Sequence, residues 1–138
     1  MRLLCFQAGR FRWRSFAKSL AEAPTVDVEG EVVDAVVAFV HVEVSDLVAD
    51  REASAFRQAL KHLKWLANKR ALKQVVLHSF AHLGGDSAPP AAAQALLERL
   101  AGRLTENGYT THVTPFGYSN QWELSVYGEG SAKVWKEI

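Results

Sequence analysis

Apolar residues along this chain recur at two spacings, and the changes of spacing mark out strands and helices. Arg2 to Phe6 is dense in Leu, Cys and Phe. Phe11-Arg12-Trp13-Arg14-Ser15-Phe16 alternates aromatic with polar residues, the two-residue period of a half-buried strand. Gly9 between these runs predicts a turn, so the two read as a hairpin. Leu20 to Gly30 is acidic, contains Pro24 and reads as a loop. Glu31 to Val44 is rich in valine and predicts a long central strand, buried on both faces in its middle.

From Ser54 to about Ala71 the period lengthens. Phe56, Ala59, Leu60, Leu63, Leu66 and Ala67 fall on one helical face, with Arg57, Lys61, Lys64 and Asn68 opposite. Lys73 to Phe80 carries Val75-Val76-Leu77, a fully buried strand. Pro89 and Pro90 fit only the first turn of a helix or the residues before it, where no backbone donor is lost. That second helix continues through Leu96, Leu97, Leu100 and Leu104 and stops at Asn107-Gly108, a left-handed cap. Tyr109 to Thr114 and Gln121 to Tyr127 predict two more strands, joined by Pro115 to Asn120. Val134 and Trp135 predict a short closing element. The order β-β-β-α-β-α-β-β implies an α/β fold: one domain over residues 1–138, with a mixed β-sheet, hairpins at both ends and two main helices.

Composition narrows the function classes. A chain of 138 residues, 49% hydrophobic and 22% charged, describes an ordinary globular domain. The formal charge of +1 gives no overall polybasic character. Cys5 is the single cysteine, so no disulfide forms within one chain. Without a charged-then-apolar leader or a long apolar run, the expectation is a cytoplasmic protein with no membrane partner.

No phosphate-cradling glycine loop, dinucleotide fingerprint or paired-cysteine motif is present, and no cofactor is implied. His41, His62, His78, His82 and His112 are not spaced as a helical metal pair, so no metal site is expected. His82, in HSFAHLGGDSAPP, follows a buried run and precedes a glycine loop. That places it at the carboxyl end of a strand, where ligands of α/β sheets bind. It reads either as a general acid, base or substrate orienter, or as a strand-end histidine bonded to a loop carbonyl. Thr114 to Asn120 reads as an exposed turn against which a base or ribose packs, or as a tight hairpin whose aromatics cap the core. Arg57, Lys61 and Lys64, with Lys69, Arg70 and Lys73 nearby, suit phosphates or simply a solvated helix face.

Several motifs together resemble a known family. FAHL at Phe80 to Leu83, a proline before a helix, a helix ending in NGY, and PFGY at Pro115 to Tyr118 resemble the N-terminal editing domain of archaeal threonyl-tRNA synthetases. MRLL at the start and VVAFVHVEV at Val36 to Val44 fit the same pattern, so the resemblance spans nearly the whole chain. It implies a fold like that of D-aminoacyl-tRNA deacylases, usually a homodimer. The implied activity is hydrolysis of the ester joining a wrong amino acid, typically serine, to the terminal adenosine of threonine tRNA.

The resemblance also implies a pocket and its partners. Phe80, Ala81 and His82 would line one side, Phe116, Gly117 and Tyr118 the other, with Val42 and Glu43 beneath. The partner would be the 3′ end of an aminoacyl-tRNA, with a threonyl-tRNA synthetase as a further partner. No aminoacylation segment follows, so the expected form is a freestanding deacylase acting in trans. The pattern departs from the family after PFGY, where a tyrosine and a catalytic lysine are replaced by Ser119 and Asn120. Near the C-terminus, Lys133 stands where the family places a glutamate. Two expectations follow: Lys133 reaches into the space of the missing lysine as a catalytic residue, or the pocket binds aminoacyl-adenosine without cleaving it.

Overall fold

The computed structural model describes residues 1–138. In chain order the elements are β1 (Arg2–Lys18), β2 (Glu29–His41), a 3-10 turn (Val44–Leu47), α1 (Ala49–Asn68), β3 (Gln74–Ser79) and α2 (Pro90–Glu106). They continue with β4 (Thr110–Val113), β5 (Tyr118–Val126), a second 3-10 turn (Gly130–Ala132) and β6 (Lys133–Glu137). The sheet runs β4-β3-β2-β1-β5, and β6 pairs with the remaining stretch of β1. β2, β3 and β4 are parallel, whereas β1 is antiparallel to β2, β5 and β6. This is the mixed α/β sheet with two helices that the periodicity predicts.

Two local expectations are corrected. Gly9 does not turn the chain, because Arg2 to Lys18 is one strand. The pairs Ala8 with Ala35 and Arg10 with Val33 flank Gly9 and Asp34, and Asp34 has a φ of 52°. Against β5, register shifts fall between Ala8 and Arg10 and between Ser15 and Ala17. Such bulges bend and twist a strand without reversing it, and a strand glycine commonly marks one.

The second correction concerns the C-terminal hairpin. β4 and β5 do not pair; they occupy opposite edges of the sheet path. Val113 and Tyr118 are nevertheless joined by four residues, a reach of at most about 18 Å. The bends in β1 resolve this by curling the sheet until its edges approach. Trp13 of β1 meets His112 of β4 at 5.9 Å between ring centres, and Phe39 of β2 meets Trp122 of β5 at 5.3 Å.

Curling makes two cores. Beneath the helices, Leu3, Cys5, Val36, Ala38, Val40, Val75 and Leu77 pack on Leu63, Leu66, Leu97, Leu100 and Leu104. On the concave face, Phe11, Trp13, Val37, Phe39 and Val76 form a smaller aromatic core. The continuous burial of Ala35 to His41 follows, since side chains on both faces of β2 are covered. Helix α1 starts earlier than its apolar face suggests, with polar residues filling its first turn. Helix α2 begins at Pro90, and Gly108 beyond its end has a φ of 92°, the left-handed stop expected there.

Candidate functional site

A cleft of about 400 Å³ opens where β2 and β3 end, beside the first turn of α2. One wall is Val40, Val42, His78 to His82, Ser87 and Ala88; the other is Pro115 to Asn120, with Ser19, Leu20 and Trp122 completing it. The curl of the sheet brings the walls together: the chain leaving β4 crosses the mouth left by β3 before entering β5. No Lys, Arg, Asp or Glu lines the cleft. Phe116 and Tyr118 also wall a second, largely apolar hollow of about 390 Å³ beneath the 20–28 loop.

The first wall is where strand pairing runs out. Phe80 N–H donates to Val40 O at 3.0 Å, and the amides of Ala81 and His82 make no further backbone bond. The His82 ring stands exposed, edge-on to Phe80 at 5.2 Å between centres. His41, His78 and His112 each have a side-chain partner at one ring nitrogen, whereas His82 has none. The loop-carbonyl role weighed for His82 is therefore not the one it plays here. Its free nitrogens can meet a ligand.

Beneath it, two buried histidines are held neutral. His78 Nδ1 lies 2.8 Å from Thr114 Oγ1, and burial pulls its pKa down to about 4. His41 Nε2 lies 2.9 Å from Ser87 Oγ, while its Nδ1 is buried with no partner. Burial lowers the His41 pKa; Glu43 opposes that shift, and Arg2 and the N-terminal ammonium add to it. His41, Ser87 and His78 were not singled out as site residues by sequence reasoning, and Thr114 was only as the start of the 114–120 turn. Their partners lie 46 and 36 positions apart, so nothing local pairs them.

The opposite wall spends its polar groups on its own shape. Gly117 has a φ of 77°, and its carbonyl accepts from Ser19 and Leu20 N–H at 2.8 and 3.1 Å. A Cβ there would stand 2.9 Å from Ala23 Cβ, so only glycine fits. The Tyr118 hydroxyl donates to Pro24 O at 2.8 Å and accepts from Val26 N–H at 2.9 Å, pinning the 20–28 loop. Asn120 Nδ2 donates to Tyr118 O at 3.2 Å and lies 3.5 Å from Pro115 O, leaving Oδ1 buried without a partner. Asn120 thus closes on its own turn, with its side-chain oxygen sealed from solvent.

Val42, Phe80, Ala81, His82, Phe116, Gly117, Tyr118 and Asn120 all line the cleft. Glu43 and Lys133 do not. Glu43 turns toward the Met1 ammonium at 3.3 Å and Arg2 Nε at 3.6 Å. Burial opposes its charge, but these cations outweigh it and hold the carboxyl below its usual range. Lys133 sits on the edge strand β6, its ammonium donating to Tyr127 O at 3.1 Å and Gly128 O at 3.3 Å. Those carbonyls satisfy it away from the cleft, and the expected relocation into the lysine's space does not occur.

A curled mixed sheet backed by two helices, with a cleft at its strand ends, is the D-aminoacyl-tRNA deacylase type of fold. The c-Myc DNA Unwinding Element Binding Protein shares this fold, with a TM-score of 0.63 over 100% of this chain and 99% of its own at 12% identity. Residues 1–138 match the Archaea-specific editing domain of threonyl-tRNA synthetase, and the chain belongs to that family. The threonine–tRNA ligase of Methanopyrus kandleri is 32% identical over 140 residues, covering 100% of this chain and 22% of that protein. For the Hyperthermus butylicus ligase the figures are 31% over 134 residues, 93% and 21%. The Pyrococcus horikoshii ligase is 26% identical over 141 residues, covering 100% and 22%. The chain thus spans about a fifth of the length of these relatives.

Proposed function

We propose that this domain hydrolyses the ester of a mischarged tRNA, seryl-tRNA(Thr) in the first place, and does so in trans. The observation that carries this reading is the cleft between the FAH exit of β3 and the PFGY turn, with His82 free at its mouth. The amides of Ala81 and His82 supply donors for the oxyanion that forms as water attacks the ester carbonyl. His82 holds the substrate amine or hydroxyl, and a ribose hydroxyl of the RNA assists the water.

Discrimination of serine from threonine rests on shape. One methylene is worth only about 1–3 kcal/mol in attraction, so steric rejection is the more effective sieve. The rigid PFGY wall, with Gly117 locked against Leu20 and Ala23, suits that task.

One observation favours a second reading. With no charged side chain lining it, the cleft lacks a lysine to activate water or steady the developing charge. A module that binds aminoacyl-adenosine without cleaving it fits the same walls. Purified protein incubated with serine-charged threonine tRNA separates the two. Serine release that falls about a hundredfold in His82→Ala supports the hydrolase. Saturable binding of a non-hydrolysable seryl-adenosine analogue without release supports the module. A homodimer, and association with a threonyl-tRNA synthetase, belong to the same proposal and are read by sedimentation with and without the synthetase.

A further inference from the structure

The outer surface of α1 carries a separation of charge that the cleft does not use. Arg57, Lys61, Lys64, Lys69, Arg70 and Lys73 fall within one stretch that contains no acidic residue, in a chain whose formal charge is only +1. Elsewhere Arg2, Arg10, Arg12, Arg51, Arg99 and Arg103 each have a carboxylate at ion-pair distance, and Arg14 does not. On this stretch only Arg70 does, with Glu129 at 2.5 Å. Lys64 donates to the Asn107 side-chain oxygen at 2.9 Å, and the other four are left without an acidic partner.

An aromatic ring stands among these cations. Trp65 is 49% exposed, with Lys69 Nζ 4.9 Å from its ring centre and His62 stacked on it at 5.8 Å. Lys136 of β6 adds a further charge nearby: burial first, then Lys136, lowers the His62 pKa. Arg57, Lys61, Trp65 and Lys69 recur every fourth residue, so they form a stripe along one side of the helix, about 6 Å per step. Unpaired like charges at such spacing oppose helix formation, and an indole in water adds little to the fold. Apart from the Lys69 and His62 contacts to the ring, the two features do little for the stability of the domain. Both suit a partner with a row of negative charges and flat rings, and a nucleic-acid duplex carries roughly one charge per 1.7 Å of its axis.

The position is also suitable. Helix α1 begins seven residues after Val42 of the cleft, and Arg57 and Lys69 lie about 12 Å and about 30 Å along its axis from Ala49. A terminal nucleotide held in the cleft leaves this stripe for the RNA body behind it. We propose that the Arg57–Lys61–Trp65–Lys69 stripe is a docking surface for the phosphate backbone of an RNA duplex whose 3′ end enters the cleft. The proposal rests on the cleft being an aminoacyl-tRNA editing site.

The test uses the full chain and a fluorescein-labelled RNA hairpin of acceptor-stem length with a single-stranded 3′ end. Binding is measured over a series of potassium chloride concentrations for the wild type, Lys61→Gln/Lys69→Gln and Trp65→Ala, with folding checked by circular dichroism. In the double variant, affinity falls at least about tenfold and the slope of log affinity against log salt becomes shallower by about two. Trp65→Ala weakens binding with its slope unchanged. Hydrolysis of seryl-adenosine, an ester with no RNA body, stays at the wild-type rate in all variants.

Unchanged RNA affinity and slope in the double variant would overturn the docking surface and leave the cleft reading intact. Seryl-adenosine neither bound nor cleaved by the wild type would overturn the cleft reading, while a shallower slope in the double variant would still uphold the stripe as an RNA surface. Retention on phosphatidylserine vesicles without measurable RNA binding would overturn the stripe in favour of an anionic membrane.

Discussion

The two walls of the cleft are built on opposite plans. The β3 exit leaves its chemistry free: His82 has no partner at either ring nitrogen, and the amides of Ala81 and His82 are not taken up by the sheet. The PFGY wall commits nearly every polar group to itself, through the Gly117 carbonyl, the Tyr118 hydroxyl and the Asn120 amide. A group already bonded within the protein is a poor donor to substrate but holds its neighbours in place. Under the proposed function, this division would put reaction in the first wall and selection by shape in the second.

The sharpest way to break this contrast is Gly117→Val. A β-branched residue at a φ of 77°, with its Cβ 2.9 Å from Ala23 Cβ, combines backbone strain with overpacking. Together these cost about 4 kcal/mol. Urea unfolding should show that loss, and serine selectivity should collapse with it. A variant as stable as the wild type would mean that the wall yields easily and cannot act as a sieve.

Next in size is the acid response of the first wall's foundation. The His78 pKa is near 4 in the folded protein against 6.5 ordinarily, because burial penalises its charged form. The unfolded chain therefore binds more protons between these values. The stability this group confers is complete above about pH 6.5 and is lost as pH falls toward about 4, by roughly 3 kcal/mol in all. His41 and His62, also depressed by burial, act in the same direction. Denaturation midpoints across that window check it, and the loss should shrink in His78→Asn. A flat profile would show that His78 takes up its proton as readily in the fold as in the unfolded chain.

A smaller effect is expected of Tyr118→Phe. It removes the acceptor of Val26 N–H and the donor to Pro24 O while leaving the ring in the wall. The cost is about 2 kcal/mol, set by how far water can replace both bonds. If the hydroxyl only shapes the wall, serine release slows no more than the loosened 20–28 loop explains, and hydrogen exchange there rises. A fall in rate as deep as that of His82→Ala, with the loop still protected, would move reactive chemistry onto the second wall.

What the sequence disclosed follows the range of the interactions involved. The helices were readable because burying one face imposes a 3.6-residue period within a single segment, as Leu96, Leu97, Leu100 and Leu104 show. His82 at a strand end was readable for the same local reason. Closure of the sheet was not, since pairing β5 with β1 joins Tyr118 to Lys18 and leaves no mark in either segment alone. Gly9 was ambiguous because a turn and a bulge ask the same freedom of the backbone. Glu43 entered the pocket with the resemblance; it lies beyond β2 and is drawn to Arg2 and the Met1 ammonium, which its own segment does not reveal.

The smallest expected effect tests where the missing cation went. Lys133 lies on β6, opposite Phe6 in register, and its ammonium is occupied by two backbone carbonyls. Both bonds are exposed, so water replaces them readily. Lys133→Ala should change stability by no more than about 0.5 kcal/mol and leave any serine release unaltered. Paired with His82→Ala, it separates a cleft whose reactivity resides wholly in its first wall from one that draws a charge from outside. A rate loss in Lys133→Ala matching that in His82→Ala would require the ammonium to leave Tyr127 and Gly128 for the substrate, and would undo the division between the walls.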